Sequence, residues 1–323
     1  MTFLPLILTI AGAYTGGIGF HITVLYIAVA HPLADWLSHG RFQKLNTQIF
    51  PDVQLWLHAV AQLGLVVWSL WFVSSRELAF GELSGLVFSV GMCTGITLTA
   101  AHELIHRPAR WQRGLGVALL WAANYMHYRV EHVFGHHKKV ATPEDPATAR
   151  RGEGLYAFWL RSILGSFASA LELERKRTGR FWNRRNRMLH YFIVQAAGFA
   201  AIFAAFGVRG FLFFAAQSLV AVLLLETVHY IEHYGLLRKR NAHGDYEPYA
   251  ARHTWDSDHF FTNKATFNVG RHSHHHKSPT VPYEKLEVLP DALPLPAGYS
   301  AMLLLALAPP LWRAVIDPRL PPL

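Results

Sequence analysis

Runs without formal charge occupy most of the first 225 residues of this chain and predict its elements. Residues 1–34, 53–75, 83–102, 189–208 and 210–225 contain no Asp, Glu, Lys or Arg. A helix needs about 20 mainly apolar residues to cross a bilayer, so these runs read as membrane spans. The first is long for one upright helix, and Gly12, Gly16, Gly17 and Gly19 interrupt it. It reads as one broken span or a tight pair, without the basic leader of a cleaved signal peptide. A later run, 298–312, is shorter and contains Pro309 and Pro310. It reads as a re-entrant or interfacial piece, or a marginal span. The expectation is an all-α integral membrane protein with five to six transmembrane helices. With no repeat and no low-complexity linker, residues 1–323 form one domain.

Composition agrees with this pattern. The chain is 52% hydrophobic and 16% charged, against about 25% charged in soluble domains. Its net charge is +9. Apolar and basic together point to a membrane protein with positive cytoplasmic loops rather than to a nucleic-acid binder. Lys and Arg concentrate in 107–187 and 238–285, with Arg41 and Lys44 in 37–52. The positive-inside rule puts these three segments in the cytoplasm. Spans 53–75 and 83–102 then form a hairpin turned outside near Arg76. Spans 189–208 and 210–228 form another, turned near Arg209.

The candidate chemistry lies in histidine. There are 20 histidines and one cysteine, Cys93. One cysteine excludes an internal disulfide, a zinc ribbon and a cysteine-ligated iron–sulfur centre. Four histidine groups fall on the expected cytoplasmic side: His102-Glu-Leu-Ile-His106, Glu131-His132-Val-Phe-Gly-His136-His137, His229-Tyr-Ile-Glu-His233 and Arg271-His272-Ser-His274-His275-His276. Residues three or four apart share a helix face. His102 with His106, His132 with His136 and His137, and His272 with His275 and His276 can therefore each serve one metal site. Neutral imidazole suits iron, zinc, copper and nickel. Only 107–131 separate the first two groups. A single crossing there would put them on opposite sides, so the apolar stretch 114–127 reads as a re-entrant or interfacial helix.

The first group also fits the zinc-protease pattern HExxH, with Glu103 as base. That reading leaves three groups unused. A metal transporter would line its spans with ionisable residues. Here Glu226, His21 and His58 are nearly all the spans and their ends offer.

Taken together, these residues resemble the membrane histidine-box di-iron superfamily, to which fatty acid desaturases and membrane hydroxylases belong. Within it the chain resembles the membrane alkane hydroxylase (alkane 1-monooxygenase) family. That family carries HEL-x-H, EHxxGHH followed by TPEDPA, NYxEHYG and RHSDHH. This chain carries the counterparts just quoted, together with Thr142-Pro-Glu-Asp-Pro-Ala147 and His229-Tyr-Ile-Glu-His-Tyr-Gly235. The segment 246–259 and the tail 295–313 also resemble the family. The match runs in order from about residue 30 to the end.

The resemblance implies two non-haem iron ions, O2 as co-substrate, and hydroxylation of a terminal or near-terminal C–H bond. The substrate would be hydrophobic, such as an alkane, and supplied by the membrane lipid phase. Other members of the superfamily offer alternatives, a fatty acyl desaturase or hydroxylase and an alkylaromatic methyl hydroxylase. Nine histidines match ligand positions: His102, His106, His132, His136, His137, His233, His272, His275 and His276. Two positions depart from the motif. His229 replaces Asn and His274 replaces Asp, and each is an alternative ligand or a support for one. Glu103, Glu131, Asp145, Glu232 and Glu247 are candidates to hold the far nitrogen of a liganding imidazole. Glu226 lies in a span near the third group. His127, His190, His243, His253 and His259 fall outside the ligand positions. The substrate pocket is expected inside the spans beneath the histidines, lined by residues such as Leu, Phe and Trp. Electrons would come from a rubredoxin or ferredoxin with its NAD(P)H reductase, and the basic face suits an acidic carrier. The expected location is a bacterial inner membrane, with the metal site on the cytoplasmic side.

Overall fold

In a computed structural model, residues 1–38 and 50–322 are described. Arg41 and Lys44, counted for topology, lie outside the described residues. Helix α1 (Leu4–Thr15) is followed at Gly16, φ 74°, by α2 (Gly17–Ser38). The first apolar run is therefore a tight pair. Helix α3 (Pro51–Ser75) and α4 (Phe80–His106) form the second pair. After α4 come α5 (Arg110–Ala122), α6 (128–139) and α7 (Leu155–Thr178).

Helix α8 (Arg187–His233) is 47 residues long and breaks at Gly207, where φ is 66° and ψ −169°. Glycine reaches this backbone region readily. The halves fold back on each other, with Phe199 packing on Phe211 and Phe214 at ring distances of 5.3 and 5.5 Å. A straight helix would hold residues 199 and 211 roughly 18 Å apart. The expected hairpin is present, with its turn two residues before Arg209.

Three turns meet at one end of the bundle. The Gly17 amide donates to Glu82, Ser74 donates to the Phe206 carbonyl, and Arg209 pairs with Glu77. The long helices α2, α3, α4 and α8 are apolar enough to cross a membrane, and α8 makes two passes. Helix α5 does not cross. It runs back along α4, with Gly116 against Leu104 and Ala101, and ends where Gln217 donates to the Ala122 carbonyl. Asn124, at φ 54°, then turns the chain toward α6. The stretch 114–127 is thus re-entrant.

The remaining elements form a cap at the opposite end. Strand β1 (Trp255–Asp256) precedes α9 (Phe260–Ala265) and α10 (His272–Lys277). It pairs in parallel with β2 (Leu293–Pro294). Helices α11 (Tyr299–Ala306) and α12 (Pro309–Ile316) close the chain. At eight residues each they are too short to span, so 298–312 is not a marginal span. Trp312 is fully buried against Tyr230 and Tyr234 at the end of α8, which fastens the cap to the bundle.

Candidate metal centre

Each histidine group sits where an element emerges at the cap. The last two turns of α4 carry His102 and His106, and the last turns of α8 carry His229 and His233. Helix α6 carries His132, His136 and His137, and α10 carries His272, His275 and His276. The polar cap secures α10: the Asp256 carboxylate accepts from the Ser273 amide at 2.8 Å and from its hydroxyl at 2.6 Å. Burial raises the Asp256 pKa to about 6 against those donors.

The nine matched histidines converge in two clusters. One contains His102, His106, His132, His137 and His275, the other His136, His233, His272 and His276. Within each cluster one ligand atom per residue lies within 4.8 Å of all the others. The partition cuts across the helices. His132–His136 is a π turn, so His132 meets His137 five residues on, Nε2 to Nε2 at 3.0 Å. His136 turns instead to His276, at 3.2 Å. On α10, His272 and His276 share one cluster while His275 joins the other, 3.2 Å from His137. Gly135 has a packing reason, because a Cβ there would fall 2.5 Å from Glu131 Oε1.

The donor chemistry fits cations. His136 Nδ1 lies 2.9 Å from the buried Asp145 carboxylate, which calls for a proton on Nδ1 and leaves the Nε2 lone pair inward. That nitrogen belongs to a chain running through His276 and His272 to His233, with Nε2 separations of 3.2, 2.9 and 3.3 Å. One proton per neutral ring cannot satisfy every contact in such a chain. In the other cluster, His102 Nε2 and His106 Nε2 are buried without any hydrogen-bond partner. A buried polar group left unpaired costs about 1–3 kcal/mol. Coordinated ions remove both problems. Burial, followed by the charge of neighbouring histidines, lowers the pKa of His132, His137, His272, His275 and His276 well below the usual value. The rings are held neutral, the form that ligates metal.

The supporting carboxylates divide. Asp145 touches a clustered histidine, and Thr148 and the Ala147 amide donate to it. Glu232 Oε2 is 3.3 Å from His272 Nε2, with Tyr299 donating to its other oxygen at 2.9 Å. The other three candidates point elsewhere. Glu103 pairs with Arg107 at 2.8 Å and accepts from the Tyr283 amide. Glu131 accepts from Ser169, and burial raises its pKa to about 8. Glu247 holds His253, Arg252 and the Lys239 amide, bracing a surface loop.

Neither motif departure enters a cluster. His274 faces away, its Nδ1 accepting from the Glu287 amide at 2.9 Å. His229 is buried behind the centre, 3.3 Å from the Tyr128 hydroxyl and 3.5 Å from Glu226. Sequence reasoning missed Asp256, Gln217 and Tyr299. Asp256 lay within the family-like segment 246–259, which was its only signal. Tyr299 lies in the family-like tail 295–313, which is likewise its only signal, whereas Gln217 belongs to an apolar run and carries none.

A cavity adjoins the clusters. A pocket against His102, His272 and His275 shares Thr99 with a larger one toward the bundle interior. The larger encloses about 580 Å³ including its mouth and is lined by Ile27, Ile96, Leu224, Val228 and Leu303 among others. Its lining lacks Trp and Phe, unlike the lining expected from sequence. Aliphatic and small side chains, with Tyr26, Tyr299 and His31, build it instead.

Comparisons with known proteins agree with this geometry. Residues 83–294 match the fatty acid desaturase family. The chain is 39% identical over 257 residues to the alkane 1-monooxygenase of Acinetobacter baylyi, covering 78% of this chain and 63% of the relative. It is 33% identical over 315 residues to the alkane 1-monooxygenase of Ectopseudomonas oleovorans, covering 94% and 79%. The hydroxylase component of a xylene/toluene monooxygenase from Pseudomonas putida is 26% identical over 275 residues, covering 83% and 73%. With two histidine clusters at the membrane end of an all-α bundle, these matches show that the chain belongs to the fatty acid desaturase family, in its alkane 1-monooxygenase branch.

Proposed function

We propose that this protein is a membrane di-iron monooxygenase that hydroxylates unactivated, terminal C–H bonds of a hydrophobic substrate such as an alkane. The supporting observation is an apolar cavity that reaches Thr99, a residue it shares with the small pocket against His102, His272 and His275 of the two histidine clusters. The nine clustered histidines would hold two iron ions, which supply the redox chemistry for O2 and the C–H bond. The protein's own contributions are positional. Asp145 fixes the His136 tautomer. Glu232, held by Tyr299, presents an oxygen beside His272. Thr99, which lines the pocket beside His102, commits its hydroxyl proton to the Ile96 carbonyl at 2.7 Å.

Electrons would come from a rubredoxin- or ferredoxin-type carrier with its NAD(P)H reductase. The lone Cys93 is buried and cannot build a four-cysteine iron site. The basic segments at the cluster end would then face the cytoplasm of a bacterial cell.

The experiment supplies iron-loaded protein in lipid with a rubredoxin–reductase pair and gives it linear alkanes, alkylbenzenes and fatty acyl esters. Terminal alcohols from alkanes support the proposal, and products from acyl esters alone contradict it. The xylene/toluene relative favours a second reading, alkylaromatic methyl hydroxylation, which predicts benzylic alcohols as the main product.

A further inference from the structure

Behind the five-histidine cluster lies a buried file of polar side chains that belong to neither cluster: Tyr125, Tyr128, Glu226 and His229. The Tyr128 ring stacks on His132, with centroids 4.7 Å and planes 23° apart, and lies near-parallel to His229 at 5.5 Å. Its hydroxyl is 3.3 Å from His229 Nε2. His229 Nδ1 is 3.5 Å from Glu226 Oε1, and that oxygen accepts from the Tyr125 hydroxyl at 2.7 Å. A carboxylate facing Nδ1 favours the proton there, which leaves the Nε2 lone pair to accept from Tyr128. An ionisable side chain at the end of a span is costly to bury and marks a functional group.

We infer that Tyr128 is a one-electron donor to the metal centre and that His229 takes up its proton. This rests on the proposed function and concerns the loaded centre once O2 has oxidised it with no substrate in reach.

In that step the phenol O–H bond of Tyr128 breaks. The electron passes across the stacked His132 ring to the oxidised centre, which is thereby reduced by one electron. The proton forms a bond to His229 Nε2, and a neutral phenoxyl radical remains on Tyr128. Oxidation without proton loss would leave a cationic ring in a buried site, at a cost of several kcal/mol. The new imidazolium instead faces the Glu226 carboxylate, which Tyr125 holds in place. The Asn of the alkane hydroxylase motif could accept a hydrogen bond from the hydroxyl at this position, but an amide does not hold the proton. His229 supplies that capacity. Tyr249 also touches a clustered histidine, His276 at 5.4 Å, but its hydroxyl meets the Thr254 hydroxyl and the Ser273 carbonyl, neither of which takes up a proton. An oxidising equivalent that finds no C–H bond therefore leaves through Tyr128 instead of attacking a liganding imidazole.

The test loads full-length protein in nanodiscs with Fe(II), mixes it with O2 in the absence of alkane, and freezes it for electron paramagnetic resonance. An organic-radical signal is expected, and incorporation of ring-deuterated tyrosine should narrow it. Tyr128→Phe, which removes one oxygen atom, should lose the signal and keep wild-type iron content. Tyr249→Phe should keep the signal. His229→Asn should keep its iron and form the radical roughly 100-fold more slowly, the worth of a positioned proton acceptor. On repeated exposure to O2, Tyr128→Phe should accumulate oxidised histidine faster than wild type, read by peptide mass spectrometry. A radical that persists in Tyr128→Phe, or forms at the wild-type rate in His229→Asn, overturns the assignment. Alkane hydroxylation with no tyrosine radical after substrate-free oxidation overturns the relay and leaves the proposed function standing. A Tyr128 radical in protein that hydroxylates no substrate supports the relay and removes that function.

Discussion

His136 presents Nδ1 to the Asp145 carboxylate at 2.9 Å, and both side chains are buried. One residue thereby fixes the tautomer and rotation of a ring whose other nitrogen faces the four-histidine cluster. Loss of such a partner typically lowers metal affinity about 10- to 100-fold. Asp145→Ala should purify with less iron than wild type and need more Fe(II) for half-saturation. Asp145→Asn keeps an acceptor and should lie between the two. Iron titration followed by elemental analysis checks the order, and equal affinity in all three proteins would contradict it.

His274 and His275 are sequence neighbours with opposite surroundings. His275 lies 3.2 Å from His137 inside a cluster, whereas His274 accepts from the Glu287 amide at the surface. His275→Ala should lose most activity and at least part of the iron. His274→Ala should keep its iron and lose about 1 kcal/mol of stability or less, the worth of one partly exposed hydrogen bond. Iron content and thermal unfolding of the two variants, measured side by side, decide the matter.

The histidine groups were legible in the sequence because i, i+4 spacing survives any helical packing. Their division was not. A regular α-helix pairs His132 with His136, and only the π turn pairs His132 with His137 instead. Similarly, spacing puts His272, His275 and His276 together, but α10 lies between the clusters and serves both. The spans and hairpins followed from charge-free runs. The support given by Tyr299 and Asp256 did not, since it comes from residues 67 and 17 positions away from their partners Glu232 and Ser273.

Gln217 ties three elements inside the bundle. It accepts from Thr94 on α4 and donates to the Ala122 carbonyl at the end of re-entrant α5. That carbonyl precedes the turn that delivers α6 and its three histidines. Gln217→Leu should cost about 1–2 kcal/mol. Because α6 is then less firmly placed, the variant should also take up iron with lower affinity. A variant that loses stability but binds iron like wild type would limit Gln217 to packing.

Coordination should stabilise the fold, since metal-free protein holds convergent lone pairs in a buried site. Ligand at 100 times its Kd adds about 2.7 kcal/mol by mass action. Chelation should therefore lower the unfolding temperature in detergent, and restored Fe(II) should raise it again. His102→Ala, which removes a ring from the five-histidine cluster, should show a smaller rise. An unfolding temperature insensitive to chelation would contradict a shared metal centre.

The central claim is that nine histidines hold two iron ions. The most direct measurement is the iron content per chain of Fe(II)-reconstituted protein, after removal of loosely held metal, in wild type and in His233→Ala and His106→Ala. The account predicts two iron ions in wild type and selective weakening of a different site in each variant. One tightly held ion per chain, or a single zinc that survives either substitution, would contradict it.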